Sequence, residues 1–181
     1  MRNELILPPC WRTTVADMLV HTKRFAAGVT EACRQMCPRD AERFERQIQW
    51  LTRRLEDAQT TVSEADINAV YDVLADVAAQ TWRLKQITQR VLMHMSLLDQ
   101  EPFANGYRWY IRQMEAALSD LAVEAVDLKG ETYNLGLPVK ALNAHEWDGE
   151  ALRVAQMVEP VIMVQGSVWR MGSVMLEAES L

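Results

Sequence analysis

The side chains that could carry out chemistry are few in this sequence, and none of them matches a recognised catalytic pattern. His145, Glu146 and Asp148 lie close together. A zinc-binding helix, however, needs a second histidine four residues after the first, and none is there. The sequence also contains no glycine-rich phosphate loop and no nucleophile elbow. We interpret residues 145–148 as a polar loop between strands, and we expect a protein that is not an enzyme.

The cysteines give no clear metal or redox site. Cys33 and Cys37 are four residues apart, so they would share one face of a helix. A metal site would need two further ligands, and the histidines, His21, His94 and His145, are scattered. We interpret Cys33 and Cys37 as neighbouring buried thiols and expect no metal or other cofactor. Because three cysteines cannot form a complete set of disulfides, the reduced cytoplasm is the expected compartment.

The overall charge and composition argue against several classes of partner. The net charge is −6 and the isoelectric point is near 5.1, whereas a nucleic-acid-binding protein needs a basic face. No apolar run approaches the length that spans a bilayer, and the apolar segment at residues 5–7 is too short for a signal peptide. We expect no nucleic-acid partner and no membrane association. Since 49% of the residues are hydrophobic, the chain can bury a sizeable core.

The strongest structural signal is a seven-residue repeat between Ser63 and Gln100, which predicts one long helix. Eight of its ten seam positions are apolar, as in a coiled coil or helical bundle. The ten positions are Ile67, Val70, Leu74, Val77, Thr81, Leu84, Thr88, Val91, Met95 and Leu98. Ser63, with Asp66 three residues later, resembles a helix cap. Pro102 is expected to end this helix, which would have about 36 residues and a length of about 54 Å.

Three further seams with the same spacing predict three more helices. The first consists of Val15, Met18, Thr22, Phe25, Val29, Ala32 and Met36, and Pro38 ends it. The second consists of Phe44, Ile48, Leu51, Leu55, Ala58 and Val62. The third consists of Tyr107, Ile111, Met114, Leu118, Leu121 and Ala125, and Gly130 ends it. Four seamed helices with short connections predict a bundle, formed within one chain or shared with a second copy.

After Gly130 the pattern changes to short strands. Residues 161–164 form an apolar run, and Gln165-Gly166 predicts a turn before a strand that includes Trp169. Gly172 is expected to interrupt the last strand as a bulge or bend. The preceding strand is predicted from an alternation in which one face carries Leu152, Val154, Gln156 and Val158. These patterns predict a small β module of three or four strands.

The predicted fold is therefore mainly α, and α+β overall, with long coiled-coil-type helices and a helical bundle followed by a small C-terminal β module. We divide the chain into a helical hairpin at 1–62, a long helix plus a bundle helix at 63–128, and the β module at 129–181.

Two groups of side chains could bind another protein. Four arginines on the second helix, Arg43, Arg46, Arg53 and Arg54, have acidic neighbours. They form either a salt-bridged exposed face or a docking site for an acidic partner. Trp169 and Arg170 stand together just after the predicted turn. They form either an exposed binding hot spot or part of the β core.

Several short motifs indicate a family. Gly106-Tyr107 begins a helix that ends with Leu118 through Glu124, and Gly130 through Asn134 follows. These stretches resemble the GrpE family, the nucleotide exchange factors of DnaK-type chaperones, which reads Leu-x-x-x-Gly-Val-Glu and then Gly-Glu-x-Phe-Asp-Pro. The closing segment from Gly166 to Val174 is similar to the family's final strands. Ala122 stands where the family prefers glycine, Asn134 replaces aspartate, and the following proline is missing.

The resemblance implies a non-catalytic co-chaperone that binds the open cleft of a DnaK-type ATPase domain and promotes ADP release. It implies a homodimer whose helices, held by the seam, present the β module to the chaperone. The partner-binding residues that it implies are Val123, Glu124, Gln165, Gly166, Trp169, Arg170 and Gly172. The alternative from the residues alone is a helical adaptor or assembly protein that binds a partner through its bundle or its arginine face. An enzyme with an unrecognised site, around His145 or Asp148, is a third hypothesis.

Overall fold

The computed structural model describes residues 5–35, 38–60, 66–94, 97–146 and 151–179, with the side chains of 30–35, 94, 97–99 and 146 excepted. Four helices come first in these ranges, α1 (Trp11–Gln35), α2 (Pro38–Thr60), α3 (Ile67–His94) and α4 (Leu97–Asp120). Six strands follow, β1 (Val123–Val126), β2 (Val139–Ala141), β3 (Leu152–Glu159), β4 (Val161–Val164), β5 (Ser167–Arg170) and β6 (Gly172–Ala178). None of the described helices is long and apolar enough to cross a membrane.

The four helices form a bundle within one chain. Helix α1 packs on α2 and α4, and α3 packs on the same two helices from the other side. The predicted seams supply the core, because each stripe can be buried only against its neighbours. Buried seam residues include Val15, Met18 and Phe25 of α1, Phe44, Leu51 and Leu55 of α2, Leu74, Val77 and Leu84 of α3, and Tyr107, Ile111 and Met114 of α4. The predicted bundle is therefore confirmed.

Helix α3 is buried on more than its seam. Val70 and Val91 complete the buried stripe, and Ile67 is half-buried. Additional residues outside the repeat, Tyr71, Val73, Ala75, Ala78 and Trp82, are buried as well. A coiled-coil helix buries one narrow stripe, whereas α3 also supports β1 and β4. The coiled-coil geometry is thus not found, and α3 is the central helix between the bundle and the β module.

Of the two predicted ends of the long helix, the C-terminal one is wrong. Asp66 provides the cap of α3, since its Oδ1 accepts a hydrogen bond from the Ala69 amide at 3.0 Å; Ser63 lies outside the described residues. Pro102 lies inside α4 instead of ending α3. A proline near a helix N-terminus removes few backbone bonds, and the ring centroid of the adjacent Phe103 lies 5.8 Å from that of Phe44. Of the last seam positions, Leu98 therefore belongs to α4, and Met95 lies outside the described residues.

Helix α4 also ends earlier than its predicted seam. It stops at Asp120, and Ala125 lies in β1 rather than in a helix that runs to Gly130. The exit turn passes through Ala122, whose φ of 56° is left-handed and cannot continue a helix. The first strand thus precedes the predicted start of the β module at residue 129.

The strands form two three-stranded sheets. The inner sheet has the order β1-β4-β5, with both pairs antiparallel. The outer sheet has the order β2-β6-β3, in which β2 and β6 are parallel and β3 and β6 are antiparallel. One face of the inner sheet joins the core of the bundle through Val123, Ile162 and Val164. Its other face forms a second core with the outer sheet, where Val161 packs with residues such as Val154.

Strand β3 departs from the predicted alternation. Its register against β6 shifts between Val154 and Gln156 and again between Met157 and Glu159. Each bulge inserts a residue and moves the following side chains to the other face. Val154 and Met157 are consequently the buried pair, and Val158, which was predicted to share a face with Val154, is exposed.

Candidate partner-binding face of the β module

The turn between β4 and β5 is a tight hairpin turn, as the sequence predicts. Gln165 and Gly166 have φ values of 49° and 74°, the positive pair that a type I′ hairpin requires. The Gln165 amide donates to the Ala122 carbonyl at 2.8 Å, which joins this turn to the end of α4. The Gln165 side-chain amide donates two hydrogen bonds toward the helices. One goes to the Tyr71 hydroxyl at 2.9 Å and the other to the Ile6 carbonyl at 2.6 Å.

A β-bulge controls the direction of Trp169 and Arg170. Met163 pairs with Val168, but the next residue of β4, Ile162, pairs with Arg170, so Trp169 is the inserted residue. Two successive residues of β5 consequently reach the helical side of the inner sheet. The Trp169 indole Nε1 donates to Asp72 at 3.0 Å, and its ring lies 6.0 Å from that of Tyr71. Burial raises the pKa of the Tyr71 hydroxyl above its ordinary value.

Arg170 belongs to an ionic cluster that attaches β5 to the bundle. Its Nη1 donates to the Asp76 carboxylate at 2.6 Å, and its Nη2 donates to the Asp72 carbonyl at 3.2 Å. Arg54 of α2 donates to the other oxygen of Asp76 at 2.6 Å. Asp76 is therefore shared by two guanidinium groups from different elements, and the Asp72 carboxylate lies 3.6 Å from Arg170 as a second acidic partner. Trp169 and Arg170 form neither a free hot spot nor part of the β core, because both are engaged with α3.

Gly172 has a packing role in this structure. It is buried, and a Cβ at this position would lie 2.8 Å from the Glu159 carbonyl oxygen and 3.1 Å from side-chain atoms of Met157 and Val161. Only glycine allows β6 to pass so close to the corner between β3 and β4. Val123 is buried as well, in the core shared with the bundle.

The face of the inner sheet that points away from the helical bundle is exposed to solvent at its β5 end. Glu124 pairs with Met163 and Met163 pairs with Val168, so these three side chains form a row across one face. Val168 is 47% exposed and the adjoining Met171 is 60% exposed. We call these four residues the open face. A cavity of about 430 Å³ adjoins it, lined by residues that include Glu124, Met163 and Gly166.

The seven residues carried over from the resemblance are thus divided between two sides of the β module. Glu124 and Gly166 lie at the open face or beside its cavity. The others lie toward the bundle or are buried: Val123, Gln165, Trp169, Arg170 and Gly172. Sequence reasoning did not single out Met163, Val168 and Met171 as site residues. No pattern in β4 could have indicated Met163, because all four residues of this strand are apolar, and the direction of Val168 depends on the bulge.

The arginines of α2 do not form one surface. Arg54 is paired with Asp76 and Arg46 lies 3.9 Å from Glu42. Arg43 and Arg53 are exposed. The prediction of a face salt-bridged by acidic neighbours on the same helix therefore holds for Arg46 alone, since Arg54 pairs with Asp76 of α3.

The chain was compared with models of known protein families, with curated proteins and with solved structures, and no match was found in any of the three comparisons.

Proposed function

We propose that this protein is a GrpE-like co-chaperone, a non-catalytic factor that promotes ADP release from a cytoplasmic DnaK-type chaperone. The observation that carries this proposal is the backbone at the two glycine positions of the family motif. Ala122, where the family prefers glycine, has a φ of 56°, and Gly130 has a φ of 90°. Both conformations favour glycine. Left-handed backbone at both positions is the conformation that the two glycines of the motif would supply.

The attachment of the β module to the bundle also supports the proposal. An exchange factor acts mechanically, so its binding surface must be held by a rigid support. Arg170, Trp169 and Gln165 fix the inner sheet to α3 and to residue Ile6. The open face lies on the other side of the inner sheet and is accessible to a partner protein through two exposed apolar side chains, Val168 and Met171. This arrangement favours Glu124 and the open face as the chaperone-binding surface.

The proposed mechanism is a shift of populations. The chaperone's ATPase domain alternates between closed and open nucleotide clefts, and a partner that binds the open form more tightly increases its population. Moving such an equilibrium from one-to-ninety-nine to ninety-nine-to-one requires about 5.5 kcal/mol of differential binding. Apolar contacts made by Val168 and Met171 only with the open form would contribute to this difference.

The role of the seam in dimerisation changes under this proposal. Leu74, Val77, Leu84 and Val91 are buried by helices of the same chain, so the seam does not require a second copy. The expected homodimer would have to use another surface, and the proposed activity requires only one bundle and one β module.

The experiment that tests the function measures release of a fluorescent ADP analogue from DnaK-type chaperones of the same organism. We expect release to accelerate when the full chain is added, and the acceleration to saturate as the open-cleft complex fills. Unchanged release from every such chaperone that the organism encodes would overturn the proposal.

A further inference from the structure

A second surface lies beside the C-terminal half of α3, beyond the residues that bind Arg170, and has a composition unlike the rest of this acidic protein. It is a groove of about 500 Å³ between α2, α3, the 127–129 connection and β3. Its floor includes the half-buried Ile87 and the buried Trp82 and Met157. Its polar lining consists mainly of glutamine amides and of four cations, Arg43, Arg83, Arg90 and Lys129. Asp127 is the single carboxylate among the lining residues.

Three of these cations form no salt bridge with the residues that the structure describes. Arg83 pairs with Glu159 at 2.9 Å, and Asp127 accepts a hydrogen bond from the Trp82 indole at 3.0 Å. Within the part of the chain that the structure describes, Arg43, Arg90 and Lys129 have no carboxylate within 4.0 Å. Since the whole chain carries a net charge of −6, a local concentration of unpaired positive charge attracts an acidic group to this groove.

The groove also contains a strand edge without a neighbour. Strand β3 is at the edge of the outer sheet, and the first part of that edge is covered by the segment from Gly130 to Tyr133. Val154 exchanges hydrogen bonds with Gly130 and Glu131 at 2.8 and 2.9 Å. Beyond Val154, residues 156–158 line the groove, and no strand of the described ranges pairs with this stretch on its outer side. An exposed edge of this kind accepts an added strand from another chain.

We infer that this groove binds an extended, acidic segment of a partner protein, which pairs with the free edge of β3 while its carboxylates contact Arg90, Lys129 and Arg43. The main-chain bonds to β3 supply the register, and the exposed Val158 and Met93 offer apolar contacts to alternate side chains of the segment. This surface is separate from the open face, so the inference does not depend on the proposed exchange activity.

An acidic peptide fits these observations better than a nucleic acid. A single-stranded nucleic acid needs a long basic track and exposed aromatic rings for its bases. Here the groove is short and belongs to an acidic protein, and Trp82 is 8% exposed with its indole nitrogen engaged. The free strand edge can form a ladder of hydrogen bonds with the N–H and C=O groups of a peptide backbone, whereas a phosphate backbone lacks these groups.

Fluorescence anisotropy with the full chain tests this inference. The probe is a short fluorescein-labelled peptide that alternates glutamate with valine. We expect saturable binding that weakens with added salt, and no binding of the same peptide with glutamine in place of glutamate. The double variant Arg90→Glu, Lys129→Glu should weaken binding by about tenfold or more. The control Arg108→Glu, Arg112→Glu places the same charge change on the exposed side of α4 and should leave the affinity within about twofold.

Three results would overturn the inference. The first is no binding of the acidic peptide, and the second is an equal loss of affinity in both double variants, which would indicate a general charge effect. The third is tighter binding of a single-stranded oligonucleotide, which would indicate a phosphate site. A peptide whose alternate amides are N-methylated lacks the donors for strand addition, and its undiminished affinity would contradict the pairing with β3.

Discussion

Arg170 of β5 and Asp76 of α3 lie 94 residues apart in the sequence and are joined by a charge-assisted hydrogen bond of 2.6 Å. This contact crosses from the β module to the central helix of the bundle, and Asp76 at the same time accepts from Arg54 of α2. The carboxylate therefore ties three elements together. The side chains of Asp76, Arg54 and Arg170 are 24%, 33% and 40% exposed, so solvent weakens the cluster without removing it.

The first prediction concerns this cluster. A double-mutant cycle of Arg170→Ala and Asp76→Ala should give a coupling free energy of about 1 kcal/mol in urea unfolding. The exposed pair of Arg153 and Glu177 within the outer sheet, with side chains 43% and 45% exposed, is the control and should couple by about 0.5 kcal/mol or less. Equal coupling in both cycles would show that the Asp76 contact has no special part in holding the β module.

The second prediction concerns the exit from α4. Ala122→Gly should raise the free energy of unfolding by about 1 kcal/mol, because a Cβ in the left-handed region is strained and glycine is not. Gly130→Ala should lower it by a similar amount, since no atom lies within 4 Å of the added Cβ and only the backbone conformation is affected. Thermal unfolding monitored by circular dichroism checks both. Destabilisation by Ala122→Gly would contradict the left-handed assignment that supports the family resemblance.

The sequence predicted the bundle well because burial of one stripe imposes the helical repeat on every helix. Residues such as Leu74 and Leu84 are seam positions in the sequence and core positions in the structure. Helix ends were less predictable. The sequence predicts that Pro102 ends α3, but Pro102 lies inside α4, where the neighbouring Phe103 packs against Phe44 of α2. That contact joins helices far apart in the sequence and leaves no local signal.

The candidate site was predictable only in part. The turn at Gln165-Gly166 is visible in the sequence because Gly166 is a residue that tight hairpins favour. Which side Trp169 and Arg170 face was not visible, because it depends on a bulge in the pairing of β5 with β4. A shift of one residue exchanges the two faces of a strand. The sequence therefore predicts the strand β5 but not which of its residues are exposed to solvent.

The third prediction separates a bundle seam from a dimer seam. Leu84 is fully buried within the chain, so Leu84→Ala should lower the free energy of unfolding by about 2–5 kcal/mol. The loss should be the same at low and high protein concentration. Met93→Ala on the same helix removes a side chain that is 76% exposed and should change stability by about 0.5 kcal/mol or less. A midpoint that rises with protein concentration would indicate that the seam is shared between two copies.

The fourth prediction concerns pH. Burial raises the pKa of the Tyr110 hydroxyl above its ordinary value of 10.0, and the hydrogen bond with Thr22 opposes this in part. The folded state thus holds the phenol proton more tightly than the unfolded state does. This contribution to stability is fully present below pH 10 and is lost as pH rises above it.

Urea unfolding between pH 8 and pH 11 measures this loss. The free energy of unfolding should fall above about pH 10, and Tyr110→Phe should make that fall shallower. Tyr133→Phe, which removes a half-buried phenol of the β module, is the control. An unchanged slope in Tyr110→Phe would contradict the role of burial at Tyr110.

The proposed function is tested most directly by changing the open face alone and measuring ADP release. Val168→Asp places a charge on the open face, and Val20→Asp makes the same change at a 61% exposed position of α1. The account predicts that wild type and Val20→Asp accelerate release of the fluorescent ADP analogue equally. Val168→Asp should need about tenfold more protein for the same effect, since an interface hot spot is worth about 1–2 kcal/mol. Equal acceleration by all three proteins would contradict the assignment of the open face, and no acceleration by any of them would contradict the exchange activity itself.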